Sequence, residues 1–202
     1  MIKVTRLEQK GSQFEVILSN GDVIKANEEV ILKYRLVEGK EFSEDILVEI
    51  YDDLNWYKAY QKALFYLSKG LKSTFKVKEY LKNKEFTDEE IQKVVSTLTN
   101  KGILNDMVYF KALKDYYIRQ SYGRLYIKNK GIMEQIDSSI ISEVLNSDED
   151  YELYFNHAKK LYEKKKATLK AKIDFKEMQK IKKYLYSRGF DIEIINETVN
   201  EE

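Results

Sequence analysis

The chain of 202 residues contains no cysteine, no proline and a single histidine, His157. Without cysteine there can be no disulfides, thiolate metal sites or thiol nucleophiles, and the composition fits a reducing interior. One imidazole is too few for the usual histidine-based metal site. A Ser-His-Asp triad would have to run through His157, and no nucleophile-elbow pattern accompanies it. The eight glycines form neither G-x-x-x-x-G-K-[ST] nor G-x-G-x-x-G, so neither phosphate-binding loop is present. No apolar run approaches the roughly 18 residues a membrane helix needs, and the first ten residues lack an apolar signal core. The expectation is a cytoplasmic, non-catalytic protein with no cofactor, no metal and no membrane partner.

Apolar residues make up 43% of the chain, enough for one or two domains that hide roughly 70% of their unfolded surface. The formal net charge of +1 conceals segregation. Residues 1–50 carry seven basic and ten acidic side chains, residues 58–130 sixteen basic and seven acidic. Residues 131–155 hold seven acids and no base, and 156–188 twelve bases and three acids. Two basic blocks separated by an acidic one present strong local fields under a neutral total.

The first fifty residues read as a β module. Ile2 to Leu7 alternates apolar and polar, Phe14 to Leu18 less cleanly, and Asn20-Gly21 supplies a tight hairpin turn at two positions that tolerate positive φ. Asp22 to Lys25 is the returning strand. Asn27 before Glu28-Glu29 reads as a helix N-cap with acids in the first turn. From Ser43 onward the pattern predicts about nine helices of 8–18 residues. Thr87 with Glu90 forms a capping box ahead of Ile91, Val94, Val95 and Leu98. Asp174 caps a helix carrying Phe175, Met178, Ile181 and Leu185, and Tyr151, Tyr154, Phe155, Ala158, Leu161 and Tyr162 make a further stripe. With no proline, helix stops fall to Gly70, Gly102, Gly131 and Gly189 in the left-handed C′ role.

An internal repeat organises the helical part. Leu81–Lys84–Phe86, Ile127–Lys130–Ile132 and Leu185–Arg188–Phe190 share an apolar residue, a base three positions on and an apolar anchor two further. A second apolar helix follows each. The spacings of 46 and 58 residues, read from these positions, make the repetition degenerate. Units of two or three helices that cannot bury their stripes alone bury them by stacking.

Binding chemistry is confined to basic side chains with aromatic neighbours. On the helix after Ser73, Val77, Tyr80 and Leu81 point inward while Lys76, Lys78 and Lys82 share the exposed side. Arg119, Arg124, Lys128 and Lys130 lie among Tyr116, Tyr117, Tyr122 and Tyr126. Lys159, Lys160, Lys164 and Lys166 precede a run at 170, 172, 176, 180, 182 and 183. Lysines along a phosphate track with aromatic platforms suit single-stranded nucleic acid, whereas tyrosines at helical spacing equally suit a core boundary. His157 reads as a boundary residue. The acids Asp148, Glu149, Asp150 and Glu152 read as a linker and helix start, lacking the spacing of a calcium loop.

Several stretches in residues 55–200 resemble the RecX family, modulators of the RecA recombinase: Leu67-Ser-Lys-Gly-Leu-Lys-Ser73, Gly102-Ile-Leu-Asn-Asp106, Lys130-Gly-Ile132 and Tyr184-Leu-Tyr-Ser-Arg-Gly-Phe190. The N-terminal module is similar to the extension in members from low-GC Gram-positive bacteria. Two departures stand out. Lys69 and Lys72 replace an arginine-rich start, keeping charge but losing bidentate geometry, and the stretch from Gly123 to Ile132 looks one helical turn short, without a Gly-Pro. The resemblance implies a mainly α, elongated array of three helix-turn-helix-like units, with boundaries at 1–50, 51–106, 107–148 and 149–202. It implies a monomer lodged in the groove of the RecA–DNA filament, suppressing ATPase and strand exchange within the SOS response. Contact with DNA, single- or double-stranded, stays open as the alternative. The expected contact residues are Lys69, Lys72, Lys76, Arg119, Arg124, Lys128, Lys130, Lys160, Lys164, Lys182, Lys183 and Arg188. Arg188 admits a second role, in the repeat turn itself.

Overall fold

Alternation in the N-terminal segment produces strands β1 (Ile2–Lys10), β2 (Gln13–Leu18) and β3 (Val23–Ala26). A computed structural model describes residues 1–146, 150–168 and 174–200. Asp148 and Glu149 of the acidic run, and the lysines at 170 and 172, lie outside the described residues. A short β4 (Glu41–Phe42), not legible in the alternation, completes an antiparallel sheet of order β3-β2-β1-β4. Ile2 and Val4 share one face, but Leu7 is an odd number of residues further on. A register shift between Val4 and Arg6 re-phases the strand and returns Leu7 to the core side. The β2–β3 turn differs from the tight two-residue form. Leu18 N–H bonds Asp22 O at 2.9 Å, and only Gly21, at φ +91°, is left-handed. The loop is wider by one residue, so Asn20 keeps an ordinary conformation and bonds Asp22 instead.

Helix α1 (Glu28–Tyr34) starts at Asn27, whose side chain accepts from Val30 N–H, and α2 (Glu44–Leu67) starts at Ser43. Val30, Ile31, Leu36, Ile50 and Leu54 close the sheet's apolar face. The expected boundary at residue 50 falls inside α2, a helix of 24 residues. There follow α3 (Thr74–Lys82), α4 (Asp88–Asn100), α5 (Asp106–Arg119), α6 (Arg124–Met133), α7 (Ser138–Leu145), α8 (Tyr151–Lys166), α9 (Phe175–Ser187) and α10 (Ile192–Asn200), making ten helices among the described residues. The chain divides into two compact units, residues 1–69 with 80–97, and 70–79 with 98–202. The second unit's core runs from Tyr109 and Phe110 through Ile127, Ile141 and Tyr162 to Leu185, Phe190 and Ile195. Phe175 is 80% exposed, so the α9 stripe begins at Met178.

One turn recurs and fixes the true register of the repeat. At six helix ends, the residue after a left-handed one donates back five positions: Leu36 to Ile31 (3.0 Å), Phe86 to Leu81 (3.4), Ile103 to Leu98 (2.9), Tyr122 to Tyr117 (3.0), Ile136 to Gly131 (3.0) and Phe190 to Leu185 (3.3). This is the Schellman arrangement. The left-handed residues are Arg35, Glu85, Gly102, Ser121, Gln135 and Gly189, so glycine fills the role twice. Gly131 does not: it lies within α6, where a β-carbon would come 2.7 Å from Phe110 Cε2 and 3.0 Å from Ile141 Cδ1. Its lack of a side chain serves close packing.

The middle unit's equivalent of Leu81–Lys84–Phe86 is therefore Gly131–Glu134–Ile136, four residues beyond Ile127–Lys130–Ile132. Burial agrees, with Ile136 5% and Ile132 56% exposed. The repeat spacings become 50 and 54 residues (81 to 131, 131 to 185), and α6, with 10 residues, matches α3, with nine. The caps follow the corrected register. Thr87, Asp137 and Asp191 stand just before α4, α7 and α10, and Ile91, Ile141 and Ile195 donate to their carbonyls.

Candidate binding surface

The helix N-terminus of α3 meets the α6–α7 turn through polar side chains. Thr74 N–H donates to Asp106 Oδ1 at 2.7 Å, and Lys76 N–H to Ser73 Oγ at 3.2 Å. Lys76 Nζ reaches Glu134 Oε1 at 2.6 Å and Tyr109 Oη at 3.1 Å. It does not share the exposed side with Lys78 and Lys82, because Glu134 draws it to the opposite flank of α3. Burial works against both charges, yet their mutual hydrogen bond, with Tyr109, holds the Lys76 ammonium above and the Glu134 carboxyl below their ordinary ranges. Burial beside Glu134 pushes the Tyr109 hydroxyl up to about 12.

One repeat later the same junction is made by backbone. Gly123 N–H donates to Arg188 O and Leu125 N–H to Gly189 O, both at 2.9 Å. The first orphan donors of α6 are thereby satisfied by the α9–α10 turn. Arg124 Nη2 bonds Asp191 Oδ1 at 3.2 Å. Arg188 folds inward: Nε donates to Ser121 O at 3.3 Å, Nη2 bonds both Ser121 O (3.1 Å) and Gln120 O, and the guanidinium lies 3.7 Å from the Tyr122 ring centroid. Tyr122 stacks on Tyr126 at 4.0 Å, and Lys130 Nζ stands 5.2 Å from the Tyr126 centroid. The result is a column of cation, two rings and cation.

Of the twelve expected contact residues, Arg124, Lys130 and Arg188 come together at this junction. Lys76 is paired with Glu134, Lys182 with Asn196 at 3.0 Å, and Lys69 lies over the Phe65 ring at 4.7 Å. Lys72 is half-buried, and Arg119, Lys128, Lys160, Lys164 and Lys183 are exposed. His157 is half-buried on α8, its imidazole held below the ordinary range by burial and by Lys160. Glu134, Tyr109 and Asp191, which position the basic side chains, escaped the sequence reading. The signal for Glu134 was present, as the residue 50 positions after Lys84. No group of three or more His, Cys, Asp or Glu able to hold a metal occurs among the described residues, nor a helix long and apolar enough to cross a membrane.

Residues 59–98 match the family model of the first three-helix domain of RecX, and residues 152–199 that of the third. Regulatory protein RecX of Clostridioides difficile is 31% identical over 206 residues, covering 98% of this chain and 94% of the relative. The regulatory proteins RecX of Enterococcus faecalis (97% of this chain, 74% of the relative) and Caldanaerobacter subterraneus (98% of each) are both 27% identical. A crystal structure of regulatory protein RecX superposes with a TM-score of 0.85 over the whole of both chains at 21% identity, a likeness of fold. RecX from Lactobacillus salivarius gives 0.63 over 73% of this chain and 96% of its own, at 25% identity.

Proposed function

We propose that this chain, which belongs to the RecX family of regulatory proteins, binds the RecA nucleoprotein filament and restrains its ATPase and strand exchange by occupying it, without turnover of its own. The family supplies the partner. What carries the reading to particular residues is the division of the basic side chains. Lys76, Arg124, Lys182 and Arg188 have intramolecular partners, while Arg119, Lys128, Lys160, Lys164 and Lys183 stand exposed. Charges that the fold does not use internally are available to an acidic partner or a phosphate backbone. A ligand that binds a blocked or shortened filament better than a growing one shifts the population toward it.

The test is single-stranded-DNA-dependent ATP hydrolysis by RecA from the same source, with increasing amounts of this protein. Substoichiometric inhibition that survives excess DNA is the expected result. A second reading, competition for the strand itself, draws on the exposed rings of Tyr116 and Tyr186 among the basic side chains, platforms suited to unpaired bases. It predicts inhibition that disappears as DNA is added. With about six phosphates neutralised, it also predicts affinity falling roughly 10³-fold between about 50 and 200 mM salt.

A further inference from the structure

The first unit carries a feature unlike the basic surfaces just described. Between Lys40 and Lys58 the chain holds six acidic residues and no base, five of them on α2. Near the middle of α2, a cleft of about 630 Å³ opens between α2 and α4, lined by Asp52, Asp53 and Trp56 on one side and Lys93, Ser96 and Thr97 on the other. That volume lies within the range of ligand sites, roughly 300–1,000 Å³. Trp56 is the chain's only tryptophan, and it also lines a smaller cleft toward α1, with Glu29, Lys33 and Tyr57. Its indole stacks on Tyr60 at 5.1 Å. Lys93 of the larger cleft pairs with Glu89 at 3.1 Å, and Lys33 of the smaller one with Asp53. Asp52 is exposed beside the indole.

We propose that this cleft is a docking site for an arginine-bearing segment of a protein partner. A planar guanidinium suits its walls. The guanidinium stacks on an aromatic face and presents five donors in a fixed fork to the Asp52 carboxylate, and to hydroxyls such as Ser96. A polynucleotide is disfavoured, since α2 would meet its phosphates with carboxylates. The site is independent of the basic residues assigned to the filament, so the two can fail separately.

Because Trp56 is the sole tryptophan, intrinsic fluorescence of the full chain reads the cleft directly. An alternating Arg–Ser peptide is expected to change the emission saturably, and an alternating Glu–Ser peptide to leave it unchanged. Asp52→Asn should weaken the response by about tenfold, and Ser96→Arg, which places a side chain in the cleft, should abolish it. Both positions are exposed, so the melting curve of each variant should match the parent. No change in emission with the Arg–Ser peptide, or an equal response in Asp52→Asn, overturns the proposal. Spermine binding as tightly as the peptide also overturns it, in favour of a polyamine site.

Discussion

Gly123 and Gly189 lie back to back. A β-carbon on Gly123 would overlap the Gly189 carbonyl group and come 2.5 Å from Phe190 N, and one on Gly189 would come 2.8 Å from Tyr126 Cα. Two stretches of main chain, 66 positions apart in sequence, thus touch without intervening side chains, and the carbonyls of one satisfy the helix donors of the other. Neither obstacle is the end of a flexible side chain, so relaxation cannot absorb a methyl group. Gly123→Ala should cost about 2–4 kcal/mol, and Gly189→Ala more, because its φ of +84° adds roughly 1–2 kcal/mol. Gly11→Ala, with φ +66° and open space around it, isolates the backbone cost alone. Urea midpoints measured together rank the three, and a Gly123→Ala midpoint equal to the parent's refutes the junction.

Gly131→Ala sets two opposing effects against each other. Alanine in a helix interior gains about 1 kcal/mol over glycine, while the contacts with Phe110 and Ile141 oppose it. Phe110 is fully buried and has little room to move, and overpacking costs about 1–3 kcal/mol. The variant should be destabilised by about 1 kcal/mol. A gain in stability would show that glycine there serves neither packing nor a left-handed stop.

The Lys76–Glu134 pair makes the second unit's stability depend on pH in a defined direction. Glu134 titrates below its ordinary range in the folded chain, so its contribution is present above that range and lost as pH falls through it. Tyr109 titrates higher in the folded chain, at about 12. Its contribution is intact below the ordinary tyrosine value and lost as pH rises toward 12. Lys76→Met should lower stability at neutral pH by about 1–3 kcal/mol, because it strands a carboxylate out of water. It should also weaken the acid limb, since burial then opposes only the hydrogen bonds from Tyr109 and Ser73. Urea midpoints from about pH 7 down to 3 test the weakening, and a limb parallel to the parent's contradicts the pairing.

Lys128 and Lys130 sit on one helix with different surroundings, and the pair should behave as surface. Lys128 is exposed, and the contact of Lys130 with Tyr126 is worth about 0.5–1 kcal/mol. Replacing both with alanine should leave the melting temperature nearly unchanged and raise by roughly tenfold the protein needed to half-inhibit RecA ATPase. Loss of fold in the double variant removes these residues from the proposed interface.

What the sequence made legible was local. The caps at Asn27, Thr87 and Asp174, the β module and the apolar stripes follow from side chains acting on their own neighbourhood. The repeat was visible but misaligned in its middle unit, because Lys130-Gly131-Ile132 imitates the turn while Gln135, a non-glycine in the left-handed region, makes it. A glycine inside a helix and one at its end look alike in sequence, and only Phe110 and Ile141 pressing on Gly131 tell them apart. Lys76 illustrates the corresponding limit at the binding surface: charge on an amphipathic helix does not reveal a carboxylate 58 positions away.

Arg188 offers the sharpest separation of a structural role from a contact role. Its guanidinium closes the end of α5 by bonding the Gln120 and Ser121 carbonyls, and it stacks on Tyr122. Lysine keeps the charge but loses the fork and the stacked plane. If the residue serves the junction, Arg188→Lys should lower stability by about 1–2 kcal/mol, and inhibition of RecA should recover once the variant is assayed well below its melting temperature. If the filament reads Arg188 directly, inhibition should fall at every temperature while the urea midpoint stays at the parent's value. With the guanidinium already committed to two carbonyls and a ring, the first outcome is the one expected.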